Sequence, residues 1–391
     1  MQSGKMLYIC AFKIFLLTLL PIQCAFSDEN MSVDDFVNYV NPPAVHRYKE
    51  EDGGAILCVR FEDQLSLRSP TSYTSGRRGS SKHNGKGSGG NHSRSCPPEM
   101  LAFREVSKED VLRAGGVARY TRKPYPATIN PLSEHDSIPS HKYAVVEFTF
   151  NAPVVGTSAK HSVWKPRVAK DAYYSLSQVW VSEENRLETV EAGWLVDPQR
   201  HGDDKPRFFT YWTADRYQTT GCYNANCPGF VVLMNNFGEL SSTKSNERSQ
   251  YELTITIILT ERDGEPVWDL HAFGTVVGYW PCNLFRFISQ SSSLIVYGGE
   301  VSYKSKRTGE VLSNTEMGSG HFPSGDQWMA NANIRQIQFS RGSGAENFKV
   351  DKYLMASNTK CYDVVVKQDH GFGGLHIFYG GPGGGAQDCQ A

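Results

Sequence analysis

The sequence lacks a charge excess and, beyond its first residues, lacks any long apolar run. Of its 391 residues, 40 are Lys or Arg and 41 are Asp or Glu, so the net charge is −1. A balanced charge gives no global attraction to nucleic acid or to an anionic membrane. No stretch after residue 27 reaches the roughly 18 apolar residues that a transmembrane helix requires. We therefore expect neither nucleic acid nor membrane as a partner.

Patterns typical of metal and phosphate sites are also missing. The sequence has neither a C-x₂-C…C-x₂-C pair nor an H-E-x-x-H motif, and its 11 His show no metal-ligand spacing. The Gly-rich stretch 380–385 follows a strand candidate but precedes no helix, so a phosphate-binding loop is not indicated. We expect no metal and no cofactor.

A nucleophilic serine or cysteine is not indicated either. There is no G-x-S-x-G elbow, and Ser319 and His321 lack the strand-to-helix context that such an elbow needs. An activated cysteine is disfavoured because most cysteines are expected to be paired.

The first 27 residues are typical of a secretory signal peptide. Lys5 and Lys13 supply positive charge, 14–22 is a short apolar run, and small residues precede a predicted cleavage at Ser27–Asp28. We therefore expect a secreted, soluble protein.

Secretion favours disulfides for the cysteines that follow the signal peptide. Three disulfides are predicted. The short spacing of Cys222 and Cys227 suits a local hairpin disulfide, and Cys361 and Cys389 lie close to the C-terminus. Cys58 and Cys96 bracket a segment of different composition and pair most simply with each other. Cys282 remains as a free, buried thiol.

Residues 28–130 form a unit of mixed character. The sequence predicts a capped helix over 32–40, a strand over 55–59 and a helix over 107–116 that stops at glycine. The stretch 72–95 is basic, rich in Gly and Ser and poor in apolar residues, which predicts a disordered loop. Arg119 to Pro139 is expected to be an exposed linker and processing site.

Two N-glycosylation sequons fall in the same unit. They begin at Asn30 and Asn91. Carbohydrate at either position would fit a secreted protein.

The rest of the chain shows short strand candidates and no long helical pattern. Because crossover helices are missing, a parallel α/β sheet is disfavoured, and an antiparallel β-sandwich or barrel is expected. The stretch 251–259 alternates, so that Tyr251, Leu253, Ile255, Ile257 and Leu259 are predicted to point inward. The predicted strands are 143–150, 176–181, 187–196, 208–212, 229–234, 251–259, 268–279, 294–303, 334–339 and 375–379.

Two of these strands carry an acid on an otherwise small or apolar face. Period-two alternation places Glu191 beside Gly193, and it places Glu300 beside Gly298. Glycine in a strand leaves space where another backbone can approach. Taken singly, each acid would more often lie on a solvated face. Taken together, they are candidates for the paired carboxyls of a hydrolase.

The region after the signal peptide resembles the neprosin family of plant glutamic peptidases, and 28–130 resembles the activation peptide that precedes the peptidase domain, here 131–391. The resemblance spans nearly the whole chain. It is carried by Gln178-Val-Trp180, Val190-Glu-Ala-Gly-Trp194, Phe209-Thr-Tyr-Trp-Thr213, Gly221-Cys-Tyr-Asn224, Gly278-Tyr-Trp-Pro281, Tyr297-Gly-Gly-Glu-Val301, Met317-Gly-Ser-Gly-His-Phe-Pro323 and Tyr379-Gly-Gly-Pro-Gly383. The basic insert 72–95 and Cys282 depart from the family's pattern.

The resemblance implies an antiparallel β-sandwich with a substrate cleft across one sheet, preceded by a small mixed pro-domain. It implies that Glu191 and Glu300 are catalytic, and that the protein is an endopeptidase acting after proline in acid. It also implies a monomeric zymogen, with the pro-domain bound intramolecularly, in the apoplast or the vacuole. Trp194, Tyr211, Trp212 and Tyr297 are candidates for a proline-binding pocket, although core packing is the commoner role of such residues.

Paired carboxyls suit hydrolysis of an amide by water. A base must take the proton of the water, and an acid must assist the oxyanion and the leaving nitrogen. Two facing carboxyls titrate as a coupled pair, so the singly protonated form supplies both groups in acid. The alternative is a catalytically silent β-sandwich that binds extracellular protein or carbohydrate on the same surface.

Overall fold

The computed structural model describes residues 31–50, 54–68, 96–125, 137–234, 238, 240–243, 250–306, 313–323, 328–342, 349–369 and 374–384. Its α-helices are α1 (Val33–Val40), α2 (Lys108–Ala114), α3 (Val117–Thr121) and α4 (Pro198–His201). Within these ranges no helix is both long and apolar enough to cross a membrane.

The strands of the described residues run in chain order through two sheets. They are β1 (His46–Lys49), β2 (Ala55–Arg60), β3 (Met100–Arg104), β4 (Ser137–Ser162), β5 (Ala172–Ser182), β6 (Thr189–Val196), β7 (Arg207–Thr213), β8 (Val231–Val232), β9 (Glu252–Arg262), β10 (Glu265–Ala272), β11 (Thr275–Pro281), β12 (Ser292–Lys306), β13 (Asn333–Arg341), β14 (Val350–Ala356), β15 (Asp363–Gln368) and β16 (Leu375–Gly380).

The N-terminal unit is a three-stranded sheet, β1-β2-β3, with short helices beside it. Helix α1 begins at the Ser32 side chain, as predicted from its capping residue. Helix α2 begins with a capping box between Ser107 and Asp110 and ends at Gly115, whose φ of 95° suits glycine. The Cys58–Cys96 disulfide joins β2 to the chain just before β3. Both predicted helices are confirmed.

The prediction of an exposed linker from Arg119 is wrong for its first part. Residues 119–121 belong to α3, and the side chains of Arg122 and Lys123 are buried. Lys123 is buried because it contacts β5, β6 and β12 of the large sheet, and local composition does not reveal such long-range contacts. Residues 126–136 lie outside the described part of the chain, as do the 72–95 stretch, Asn30 and Asn91.

The large sheet has 13 strands in the described part of the chain, and its main path is β7-β6-β5-β12-β4-β9-β10-β11-β8. All its pairings are antiparallel. The 26-residue strand β4 pairs with β12 through its first half and with β9 and β13 through its second half. Strand β4 therefore passes from one layer to the other, and the sheet curls into the predicted β-sandwich.

The main core lies between these two layers. Strand β6 contributes Trp194, β9 contributes Ile255 and Ile257, and β10 contributes Trp268, all with at most 1% of their surface exposed. Tyr251 is 48% exposed, so its predicted inward orientation is wrong, because the residue precedes β9. Leu259 is only partly buried against the core.

One predicted strand is divided in the structure, and four strands were not predicted. The predicted strand 268–279 is a hairpin, because Phe273 and Gly274 turn the chain with φ of 54° and 77°. Strands β1, β3, β14 and β15 were not predicted. The exposure of Tyr353 and Leu354 explains the omission of β14, because that strand shows no apolar alternation.

The cysteines outside the N-terminal unit follow the predictions as far as they are described. Cys222 and Cys227 form a disulfide. Cys361 is disulfide-bonded, while its predicted partner Cys389 lies outside the described residues. Cys282 is a buried free thiol, and burial raises the pKa of that thiol to about 12.

Candidate active site

The two predicted catalytic glutamates lie on one face of the sheet, on either side of β5. Register places Glu191 on β6 opposite Trp180 of β5, and it places Glu300 on β12 opposite Leu176 of β5. Between them, Gln178 of β5 projects from the same face. The two carboxyls are 0% and 1% exposed, which is rare for ionisable groups without partners.

Two glycines allow the backbones to come together at this point. Gln178 lies opposite Gly193 on one side and opposite Gly298 on the other. A Cβ on Gly193 would lie 2.7 Å from the Cα of Gln178, and one on Gly298 would lie 2.7 Å from the Cα of Val145. The close approach expected beside the acids is therefore confirmed, and these positions exclude any side chain.

Neutral donors hold Glu191 in place. Its Oε1 accepts hydrogen bonds from the hydroxyl of Thr189 at 2.7 Å and from that of Tyr217 at 2.6 Å. Burial, reinforced by the charge of Glu191, raises the pKa of Tyr217 well above its ordinary value. Tyr217 therefore stays protonated, and its hydroxyl donates a hydrogen bond to the carboxylate of Glu191.

A different set of groups holds Glu300. Its Oε1 lies 2.7 Å from Nδ1 of His141 on β4, and it accepts a hydrogen bond from the hydroxyl of Tyr174 at 2.8 Å. Its Oε2 lies 3.4 Å from the side-chain nitrogen of Gln178. An imidazole is thus the feature that distinguishes Glu300 from Glu191.

Lys123 occupies the centre of the site. Its Nζ lies 2.6 Å from Oε2 of Glu191 and 3.3 Å from Oε2 of Glu300, and it donates to Oε1 of Gln178 at 3.1 Å. The lysine side chain is fully buried. One ammonium therefore bridges both carboxylates and neutralises part of their charge.

The lysine and the imidazole determine the ionisation of Glu300. Burial alone would raise the pKa of this carboxyl. The positive charge of Lys123 and the hydrogen bond with His141 act in the opposite direction and lower that pKa to about 2. With Lys123 in place, Glu300 is therefore ionised.

The chain from Thr121 to Tyr125 crosses the same face of the sheet. Its backbone contacts the sheet at three points: Tyr223 N donates to the Thr121 carbonyl, Lys123 N donates to the hydroxyl of Tyr211, and His141 Nε2 lies 2.8 Å from the Pro124 carbonyl. Residues 121–125 therefore cover the carboxyl pair.

Further contacts hold the residues around this segment. The guanidinium of Arg200 donates to the carbonyls of Arg119 and Tyr120 at the end of α3. On another side, the amide of Gln64 pairs with both the N–H and the carbonyl of Val232 on β8. The N-terminal unit therefore packs on the sandwich through polar contacts as well as through the lysine.

Of the four aromatic residues proposed for a proline pocket, only Tyr211 reaches this site. Its ring centre lies 5.5 Å from Nζ of Lys123. The other three project from the opposite face into the main core: Trp194, Trp212 and Tyr297. Trp194 and Tyr297 are each an odd number of residues from the glutamate on the same strand, and Trp212 follows Tyr211, which pairs with Glu191. They are too far inside to contact a peptide over the carboxyl pair.

Sequence reasoning missed several residues of the site. Period-two alternation along β5 would have placed Tyr174 and Gln178 on the correct face. No local signal indicated Lys123, His141 or Tyr217, because their contacts join segments far apart in the chain.

Among the residues that the structure describes, no three His, Cys, Asp or Glu side chains are grouped so as to hold an ion.

The Neprosin family model matches residues 171–382. The fold is also similar to scytalido-glutamic peptidase with a transition state analog inhibitor, at 9% identity and a TM-score of 0.34, covering 62% of this chain and 98% of that one. SCP-B, a member of the Eqolisin family of peptidases in complex with the tripeptide Ala-Ile-His, is 8% identical with a TM-score of 0.32, covering 62% and 99%. A carbohydrate-binding module from Bacillus subtilis is 8% identical with a TM-score of 0.21, covering 42% and 80%. At such low TM-scores these likenesses carry no argument about function.

Proposed function

The chain belongs to the Neprosin family, and on that basis we propose that it is a glutamic endopeptidase in which Glu191 and Glu300 are the catalytic pair. The observation that carries the proposal is the single buried ammonium held between the two carboxylates. Solvated surface acids would not be arranged in this way.

The position of Lys123 Nζ suggests where the attacking water binds. A water molecule at this position would contact Glu191, Glu300 and Gln178, the three groups that now surround the ammonium. Once the lysine leaves, the two buried carboxyls lose its charge and cannot both remain ionised at low cost. They would then share one proton, which gives one base and one acid.

We assign the base to Glu300 and the acid to Glu191. Nδ1 of His141 faces Glu300, and His141 lies on β4, outside the pro-segment. A protonated imidazole that donates from Nδ1 favours the ionised form of Glu300, whereas the donors to Glu191 among the described residues, apart from the lysine, are neutral hydroxyls. Glu300 would take the proton of the water, and Glu191 would give its proton to the leaving nitrogen.

The segment over the site supports a zymogen. Lys123 fills the position proposed for water, and the backbone of 121–125 blocks the face that a substrate would need. Residues 28–130 are therefore proposed to act as an inhibitory pro-segment. Because residues 121–125 are held on the sheet and β4 begins at Ser137, the mature protein is expected to start within 126–137.

Substrates and location remain part of the proposal. Peptides and proteins cut after proline are the proposed substrates, as the family resemblance implies, and the enzyme is proposed to act as a monomer. The disulfides in the described residues support an oxidising compartment, and with residues 1–27 they favour secretion to the apoplast or the vacuole.

The decisive experiment compares Glu191→Gln, Glu300→Gln and Glu261→Gln after acid treatment. Peptides containing one proline would be incubated at acidic and neutral pH, and the cuts read by mass spectrometry. The first two variants should lose at least about a thousandfold in kcat/KM, because each lacks a proton-transfer group. Glu261 is exposed on β9, so its variant should keep full activity. Wild-type activity in either site variant would refute the assignment.

Inhibitors provide a second check. The absence of metal and nucleophile motifs predicts that EDTA, fluorophosphonates and thiol alkylators leave the peptidase active. Loss of activity in EDTA would contradict the mechanism.

A further inference from the structure

A flat slot lies beside the carboxyl pair, and Tyr125 fills it. The ring of Tyr125 stacks on that of Tyr217 at 4.2 Å with an interplanar angle of 4°, and it stacks on that of His141 at 4.6 Å and 25°. The hydroxyl of Tyr125 lies 3.1 Å from that of Tyr143, inside the slot. The slot therefore contacts both faces of the Tyr125 ring and the hydroxyl group at its end.

The two walls of the slot belong to the catalytic centre. Tyr217 donates to Glu191, and His141 contacts Glu300, so neither ring can move away without disturbing the pair. A ring bound between them is held at a fixed position relative to the attacking water. The slot is thus suited to positioning a substrate as well as to binding one.

The slot also opens into unfilled space. Tyr125, Tyr143 and Tyr217 line a pocket of about 570 Å³ that continues over Trp180, Val296 and Met355. Removal of the segment that carries Tyr125 would join the slot to this pocket. A substrate side chain could then enter from the groove.

We propose that this slot is a substrate subsite for an aromatic side chain, with tyrosine preferred over phenylalanine. The inference rests on the proposed function, and it adds a selection that the family resemblance does not imply. In the pro-segment, Tyr125 lies two positions C-terminal to Lys123, and the backbone turns between them because Tyr125 N donates to the Lys123 carbonyl at 3.0 Å. An extended substrate has no such turn, so the aromatic residue is sought at every position close to the residue that faces the carboxyl pair.

The first test measures cleavage. Peptides with one proline would carry Tyr, Phe, Leu or Ala in turn at each position within three residues of the cut. At one position Tyr should give a kcat/KM about tenfold higher than Ala, in keeping with the energy of stacked rings, and Phe should fall between them. In the Tyr143→Phe variant, kcat/KM for the Tyr peptide should fall to the value for the Phe peptide. Tyr353→Phe, which removes a hydroxyl on exposed β14, should leave the ratio unchanged.

The second test needs no turnover. In the full-length chain, Tyr125→Ala empties the slot, and p-cresol, which is the side chain of tyrosine, should bind there and raise Tm. Toluene should bind more weakly, and the Tyr143→Phe change should remove that difference. The unchanged chain, whose slot is full, is the control and should not respond.

The outcomes separate the two proposals. An active enzyme with no aromatic preference at any position, or with a Tyr to Phe ratio that Tyr143→Phe does not alter, overturns the subsite. A complete absence of peptidase activity refutes the proposed function, and the subsite with it. Failure of p-cresol to raise the Tm of the Tyr125→Ala chain also overturns the subsite.

Discussion

Single side chains set the charge balance in the centre of the sheet. Lys123 and His141 both contact Glu300, beside the neutral donors already described, and among the described residues Lys123 is the cation that contacts Glu191. A buried charge that loses its partner destabilises a protein more than a surface charge does. Removal of Lys123 and removal of His141 should therefore have different measurable effects.

Replacing Lys123 by Met should destabilise the full chain most at neutral pH. Two buried carboxylates would face each other without the ammonium, at a cost of about 3 kcal/mol. In acid the pair can take up a proton, so the loss should shrink. Thermal unfolding at pH 7 and pH 4 would measure both effects, with Lys352→Met on exposed β14 as the matched control. An equal loss of Tm at both pH values would contradict the buried bridge.

Replacing His141 by Gln should change the pH profile of the peptidase. If Glu300 is the base, loss of the imidazole raises its pKa, because a group that favours the ionised form is gone. The acidic limb of kcat/KM should then move to higher pH, by about one unit as an order of magnitude. A limb that does not move, with only kcat lowered, would mean that Glu300 is not the base.

At the level of strands, the site depends on how closely β5 packs between β6 and β12. Glycines make this possible, since the backbone atoms of β5 and β4 occupy the places where side chains would be. Gly193 therefore sets the distance between β6 and β5, and Gly298 sets the distance between β12 and β4.

Gly193→Ala and Gly298→Ala should each lower stability by a few kcal/mol, because the new methyl group meets backbone that cannot turn aside. The kcat/KM of each variant should also fall, because the added methyl group displaces the strand that carries the catalytic carboxyl. Gly342→Ala is the control, because its nearest neighbours lie at 3.6 Å, an ordinary contact. Chemical denaturation and kcat/KM of the same samples would compare the effects. A Gly193 variant as stable and active as the control would disprove the close approach.

Alternation along strands predicted much of this arrangement and also shows where such reasoning ends. It placed Glu191 and Glu300 on faces shared with glycine, and the strand pairing brought those faces together. It could not locate Lys123, because a lysine in a Pro-containing stretch has no local preference for burial. The hairpin at Phe273 was missed for a related reason, since a left-handed turn of a non-glycine residue leaves little trace in composition.

For the whole molecule, the docking of the pro-segment should depend on pH through Glu300. In the docked state the pKa of this carboxyl is lowered from its ordinary 4.5 to about 2. The released state therefore binds more protons in that range, and acid favours release. The contribution of Glu300 to docking should be complete above about pH 4.5 and should be lost as the pH falls towards 2.

Hydrogen exchange of the amides in 121–125, measured across this range, would follow the release. Protection should decrease as the pH falls, after correction for the intrinsic exchange rate. Glu300→Gln should remove most of the dependence, and Glu261→Gln should keep it. Protection that stays constant from pH 5 to pH 2 would show that Glu300 does not govern docking.

The segment over the site and the strand that carries His141 are joined covalently through residues 126–136. While that connection is intact, the inhibitor is present at an effective concentration that dilution cannot change. A cut in 126–136 makes the same contacts intermolecular, so occupancy of the site then follows mass action. Nicked protein kept concentrated should remain latent, and the same protein should become active on dilution. The volume into which the protein is released would then help to set the time at which it starts to work.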